Sequence, residues 1–178
     1  MTQIASPLLL DEGAVMTIGM TKVLHVKIPV TDLQRSVTWY CELLDLEVFR
    51  EFAEQGALRG AALLSREGGF AVALREREFC AGQPDLAGYD PFAVHMASRD
   101  ALADLAAKCD RRGIEHSPVQ DRGPDEAVVD VPDPDGTVLR FCWMRDGGQP
   151  GRFTGLDFDA TGRPASYDTP RLSVPSHQ

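Results

Sequence analysis

The sequence has no surplus of positive charge, no long apolar run and no closely spaced cysteines. Its 18 Lys and Arg are outnumbered by 27 Asp and Glu, a formal net charge of −9. A surface of that sign repels polyanions, so neither nucleic acid nor an anionic membrane is expected as a partner. No stretch approaches the roughly 18 apolar residues that a membrane span requires. The apolar run at 7–10 is too short, and lacks the basic flank, for a secretory signal. A cytoplasmic location is therefore expected. Cys41, Cys80, Cys109 and Cys142 stand singly, with no C-x-x-C pair. Reduced thiols, some buried as small hydrophobes, are the expectation.

What is present is ordinary for a globular chain: 43% hydrophobic and 25% charged residues over 178 positions. That length allows one domain with a sizeable core, or two small modules fused into one. The most informative stretch is 131–144, VPDPDGTVLRFCWM. Pro134 presets φ for a turn, Asp135 tolerates the next position, and Gly136 supplies the flexible exit, so 133–136 reads as a tight hairpin between strands. Alternation after the turn places Val138, Arg140, Cys142 and Met144 on one face and Thr137, Leu139, Phe141 and Trp143 on the other. The bulkier set belongs in a core, which leaves Arg140 on the open face.

Residues 1–20 show no sustained periodicity and read as an arm. Residues 21–30 alternate as a half-buried strand, with Val26, Ile28 and Val30 inward and His25 and Lys27 opposite. Asp32 is a good N-cap for a helix whose Leu33, Val37, Tyr40 and Leu44 form one stripe. Strands follow at 46–52, 57–65 and 69–75, separated by turn residues. A Gly-, Pro- and Asp-rich linker at 77–90 precedes a second round: a strand at 91–97, a helix at 100–109 closed by Gly113, and strands at 114–119, 126–131 and 137–144. Asp32 and Asp100, and likewise Gly69 and Gly136, recur at about 67 residues, so an internal duplication is expected. The predicted organisation is an arm at 1–20, a domain at 21–144 built of modules 21–76 and 91–144, and a Pro/Gly-rich tail at 145–178. The tail's composition cannot form a core of its own; it is either a solvated extension or a strap laying its aromatics across another surface.

Two tandem β-α-β-β-β units, with HVKIPVTDLQRSVTWYCELLDLEV opening the first and VPDPDGTVLRF closing the second, resemble the vicinal oxygen chelate superfamily of glyoxalase I, bleomycin-resistance proteins and extradiol dioxygenases. The resemblance implies an α+β fold, an eight-stranded cup-like half-barrel around a shared cavity, and frequent dimerisation. In metal-dependent members the ligands come from the first and last strands of each module. Carried over by position, these fall on His25, on Ala73 (laying GGFAVAL on DGTVLRF), on Pro91 or in a shifted register His95, and on Arg140, where the usual pattern has a glutamate. A divalent ion wants about four N or O donors, and a guanidinium cannot become one. No metal and no cofactor is therefore expected.

In such a cup Arg140 and Cys142 would meet His25 and Lys27, with Ala93 and His95 from the strand at 91–97, Arg75 from the first module, and Ala73 leaving room for a flat body. Several cations inside an acidic protein suit carboxylate, phenolate or enolate oxygens. Plainer roles stand beside this: Arg140 paired internally with Asp130, Glu126 or another acid, and His25 as a hydrogen-bonded remnant of a metal ligand. The leading expectation is a metal-free homodimer that sequesters an aromatic or polyketide-like compound of secondary metabolism, in the manner of bleomycin-resistance proteins. The alternative is a metal-independent isomerase, cyclase or lyase in which His25 or His95 moves a proton and Arg140 stabilises an oxyanion.

Overall fold

The structure is a computed structural model that describes residues 22–67, 69–145 and 155–173. The arm expected at 1–20 lies outside these residues. Two units with the same element order follow one another. The first comprises β1 (Val26–Val30), α1 (Leu33–Leu44), β2 (Glu47–Glu54), β3 (Ala57–Leu64) and β4 (Ala71–Glu76); the second comprises β5 (Ala93–His95), α2 (Arg99–Arg112), β6 (Gln120–Asp121), β7 (Glu126–Pro132) and β8 (Val138–Met144). Their sheets have matching orders, β1-β4-β3-β2 and β5-β8-β7-β6, each with its first strand parallel to its last. The expected α+β tandem arrangement is present, and the two four-stranded sheets are not closed into a barrel.

Local chemistry accounts for the element ends. Asp32 caps α1 by accepting from the Arg35 amide at 2.9 Å. For α2 the cap is Ser98, whose hydroxyl accepts from the Ala101 amide at 3.1 Å, and Asp100 lies in the first turn. In the turn at 133–136 the Gly136 amide donates to the Asp133 carbonyl at 2.9 Å, with Gly136 at φ +83°. Gly69 takes φ +66° at the matching position before β4. Only glycine adopts such angles without steric cost.

Two strand expectations need correction. The first strand begins at Val26, so His25 precedes it. No strand occupies 114–119; the short β6 lies after it. Ser117 takes the place beside β7 with its own groups, its amide donating to the Asp130 carbonyl at 2.8 Å and its hydroxyl accepting from the Asp130 amide at 3.0 Å. Pro118 then has no N–H to continue the ladder. In the tail, β9 (Gly155–Phe158) and β10 (Pro164–Tyr167) pair as an antiparallel hairpin, and the Phe158 ring lies 5.9 Å from the Arg122 guanidinium. A strap reading of the tail gains one contact from this, although Leu156 and Phe158 both remain exposed.

One core serves both units. Ile28, Val30, Tyr40, Leu43, Val72 and Leu74 of the first unit join Leu102, Cys109, Val129, Val131, Leu139 and Phe141 of the second in a single buried cluster. The alternation expected for 137–144 holds: Thr137, Leu139 and Phe141 are buried, whereas Arg140 and Cys142 are half-exposed. Each sheet thus spends its helix-covered face on the common core. Its other face therefore points away from that core. No helix among the described residues is long and apolar enough to cross a membrane.

Candidate ligand-binding face

The open face of the first sheet is assembled row by row. Register pairs Lys27 with Ala73, Ala73 with Ala62, and Ala62 with Arg50, so one row runs across all four strands. The next row carries Pro29, Arg75, Gly60 and Phe52. A groove of about 370 Å³ lies on this face, lined by Lys22, His25, Lys27 and Arg50, by Phe49, Phe52 and Phe70, and by a floor that includes Ala62, Ala71 and Ala73. Among the described residues no Asp or Glu lines it, in a chain of net charge −9. Its size lies within the range of small-molecule sites.

Phe49 and Arg50 are neighbours in sequence, and a regular strand would send them to opposite faces. They share the groove because β2 and β3 slip register between Val48 and Arg50, a bulge that sets two residues against one. Phe52 lies flat because its partner is Gly60: a Cβ built there would stand 2.0 Å from the Phe52 ring. Phe49, Arg50, Phe52, Phe70 and Gly60 were not among the expected site residues. Their signal was present but contradictory, because two phenylalanines three apart cannot share one face of an unbulged strand.

Of the expected residues, His25, Lys27 and Ala73 line this groove together. Arg75 is on the same face but engaged: its guanidinium donates to Glu54 at 2.6 Å and to the Phe79 carbonyl at 2.9 Å, and stands 5.4 Å from the Phe52 ring centroid. The Glu54 hydrogen bond also raises its pKa.

Ala93, His95, Arg140 and Cys142 gather on the open face of the second sheet, where Ala93 pairs with Arg140 and His95 with Cys142. The groove that His25 and Lys27 line has none of these four residues in its described lining. Arg140 is consumed internally. Its guanidinium forks onto Asp130 at 2.9 and 3.0 Å and also pairs with Asp90, and the Asp130 hydrogen bonds push its pKa up. Internal pairing with Asp130, the plainer of the two sequence readings, is what the geometry holds. Cys142 has its thiol pKa raised, first by burial and then by Glu126, so it is not an activated nucleophile. His95 is exposed, its Nε2 3.4 Å from the Met144 carbonyl oxygen.

The same register decides which residue matches His25. Lys27 lies opposite Ala73 as Ala93 lies opposite Arg140, so His25 corresponds to Pro91, while His95 corresponds to Pro29. The four positions that the resemblance implies for an ion thus fall on His25, Ala73, Pro91 and Arg140. Alanine and proline side chains offer no donor and arginine offers only a cation, so this set does not fit a divalent metal. Among the described residues no group of three or more His, Cys, Asp or Glu side chains is placed to hold one.

Comparison with known proteins gives the same fold. A glyoxylase/bleomycin resistance protein/dioxygenase domain from Frankia sp. EAN1pec superposes with a TM-score of 0.55 at 23% identity, covering 71% of this chain and 99% of that one. The antibiotic-binding protein TnmS3 from Streptomyces sp. CB03234 gives 0.59 at 15%, covering 72% and 99%. The fosfomycin resistance protein FosX from Listeria monocytogenes gives 0.56 at 14%, covering 70% and 93%. No curated protein sequence matches the chain. The Glyoxalase/Bleomycin resistance protein/Dioxygenase superfamily matches residues 22–141, which span both sheets and both helices. With its doubled sheet topology and this match over most of its length, the chain belongs to that superfamily.

Proposed function

We propose that the chain is a metal-free small-molecule binding protein that sequesters an aromatic or polyketide-like compound, in the manner of the resistance proteins of its superfamily. The observation that carries this reading is the groove on the first sheet, where three phenylalanines and an alanine floor lie among cations, with no carboxylate among the described residues that line it. Aromatic walls supply contact area, and a few fixed polar groups orient the guest. Two structural relatives, TnmS3 and FosX, are named for antibiotic binding and resistance, which fits sequestration of a toxic compound. We place the protein in the cytoplasm as a homodimer.

The alternative, a metal-independent enzyme using His25 or His95 with Arg140, needs these groups around one ligand. Within one chain His25 lies in the groove of the first sheet and His95 and Arg140 on the second sheet, and Arg140 is held by two carboxylates. Sequestration needs none of that convergence.

The test is a thermal-shift screen of aromatic and polyketide-type metabolites, repeated with a chelator, because a ligand that binds only the folded state raises its stability by mass action. Stabilisation that survives the chelator, with the compound recovered unchanged by mass spectrometry, supports the reading. Conversion of the compound, or near-stoichiometric Zn, Fe, Ni or Mn in the purified protein, overturns it. Sedimentation analysis reads the assembly, with a monomer at all concentrations refuting the dimer.

A further inference from the structure

Every other arginine on the first sheet is matched to an acid: Arg59 to Glu76 at 2.8 Å and Arg75 to Glu54 at 2.6 Å, with Arg66, just past β3, matched to Glu47 at 2.5 Å. Lys27 and Arg50 are not. Neither has an ion-pair partner among the described residues, although acids outnumber bases in the chain. They stand at the two ends of one row, with only Ala73 and Ala62 between them. Three strand spacings of roughly 4.8 Å put the ends of that row about 14 Å apart at the backbone. The floor between carries only methyl side chains, and Phe52, laid over Gly60, walls one side of it.

From this we infer that the guest is a planar aromatic carboxylate, its rings on the alanine floor against Phe52 and its charge held by Lys27 and Arg50. The inference rests on the binding-protein reading and adds the sign of the guest's charge. Arg50 owes its place on this face to the bulge at Phe49, so the strand irregularity is what supplies the second cation. A guanidinium or ammonium recognises a carboxylate through charge-assisted hydrogen bonds, which are stronger than those between neutral groups. A neutral guest would leave two desolvated cations uncompensated, and a cationic one would be repelled.

The test uses three probes of one shape, naphthoate, naphthalenemethanol and naphthylmethylammonium, titrated calorimetrically into the intact chain. Naphthoate is expected to bind about tenfold more tightly than the alcohol, the size of one added charge-assisted contact. The ammonium probe is expected to bind weakest, and the preference to shrink as salt rises. Lys27→Met and Arg50→Met each reduce the preference, whereas Lys27→Arg keeps it. The double change Lys27→Glu with Arg50→Glu inverts it toward the ammonium probe; both side chains are exposed, so melting curves verify the fold. Equal affinity for naphthoate and the alcohol overturns the inference and leaves the binding-protein reading standing. No binding of any probe at millimolar concentration also overturns it, and the metabolite screen then judges the wider reading separately.

Discussion

The Tyr40 hydroxyl donates to Asp133 Oδ2 at 2.9 Å, tying the helix of the first unit to the strand turn of the second across 93 residues of chain. The other oxygen of Asp133 accepts from the amides of Asp135 and Thr137, both at 2.9 Å. Asp135 continues the junction, accepting from the Thr31 amide at 3.0 Å and from Arg35 at 3.2 Å. Tyr40 is fully buried and Asp133 only 5% exposed, so no water replaces a lost partner there. Tyr40→Phe is therefore expected to cost about 1–3 kcal/mol, the penalty for leaving a buried acceptor short of a donor. Urea denaturation checks this, with the midpoint lowered and the slope unchanged.

The same pair sets a pH dependence. Burial raises the Asp133 carboxyl above its ordinary value of 3.8, against the lowering effect of the Tyr40 and backbone hydrogen bonds. A carboxyl with a raised folded pKa binds its proton more tightly in the folded state. Its contribution to stability accordingly falls as pH rises from the unfolded value to the folded one, then levels off. Tyr40→Phe removes a lowering contact, so the Asp133 pKa moves further up and this window extends to higher pH. Carboxyl carbon NMR titration reads the shift directly, and a downward movement would refute the assignment.

Arg140 stands where the resemblance implies an acid, and placing one there is expected not to create a metal site. In Arg140→Glu a third carboxylate would face Asp130 and Asp90, a like-charge cluster without its cation. Loss of stability by about 1–3 kcal/mol is expected, as when one partner of a charged hydrogen-bonded pair is removed. No divalent ion should be gained at His25, because Ala73 and Pro91 still offer no side-chain donor. NMR of the His25 imidazole with added Zn decides this, whatever ion the three carboxylates collect; zinc-induced shifts of that ring in the variant alone would refute the donor-set argument.

Cys142 lies beside Arg140 on β8, yet its thiol pKa is raised, chiefly by burial. Slow alkylation by iodoacetamide relative to free cysteine is expected, because the thiolate is the reacting form. Peptide mass spectrometry measures the rate, and labelling faster than that of free cysteine would reopen a nucleophilic role.

How much of this was legible follows from which signals are local. Asp32, Gly69, Gly136 and the apolar alternation of 137–144 act through neighbouring residues, and each performs its expected part. The duplication was legible too, since both halves repeat the same turn chemistry. Non-local facts were hidden. That residues of both units share one core depends on how the two units dock and leaves no periodic trace. Pro118 misled through the company of Ile114 and Val119, which gave 114–119 a strand-like look that one missing N–H undoes. The bulge at Phe49 was the subtlest, because it breaks the alternation from which faces are read.

Gly60 tests whether Phe52 is fixed as the geometry demands. A Cβ at this position would stand 2.0 Å from Phe52 Cζ and 2.6 Å from the Leu74 carbonyl oxygen, closer than real contacts allow. The ring can swing away, whereas the Leu74 carbonyl belongs to the adjacent strand β4 and cannot. Gly60→Ala is therefore expected to destabilise the chain by about 1–3 kcal/mol through overpacking. It should also weaken aromatic ligands, since a displaced Phe52 no longer lies along the floor. Pairing it with Phe52→Leu removes the ring contact but leaves the backbone one, so only part of the stability should return. Thermal denaturation of the single and double variants measures the split, and full recovery in the double variant would show that the ring contact alone made glycine necessary.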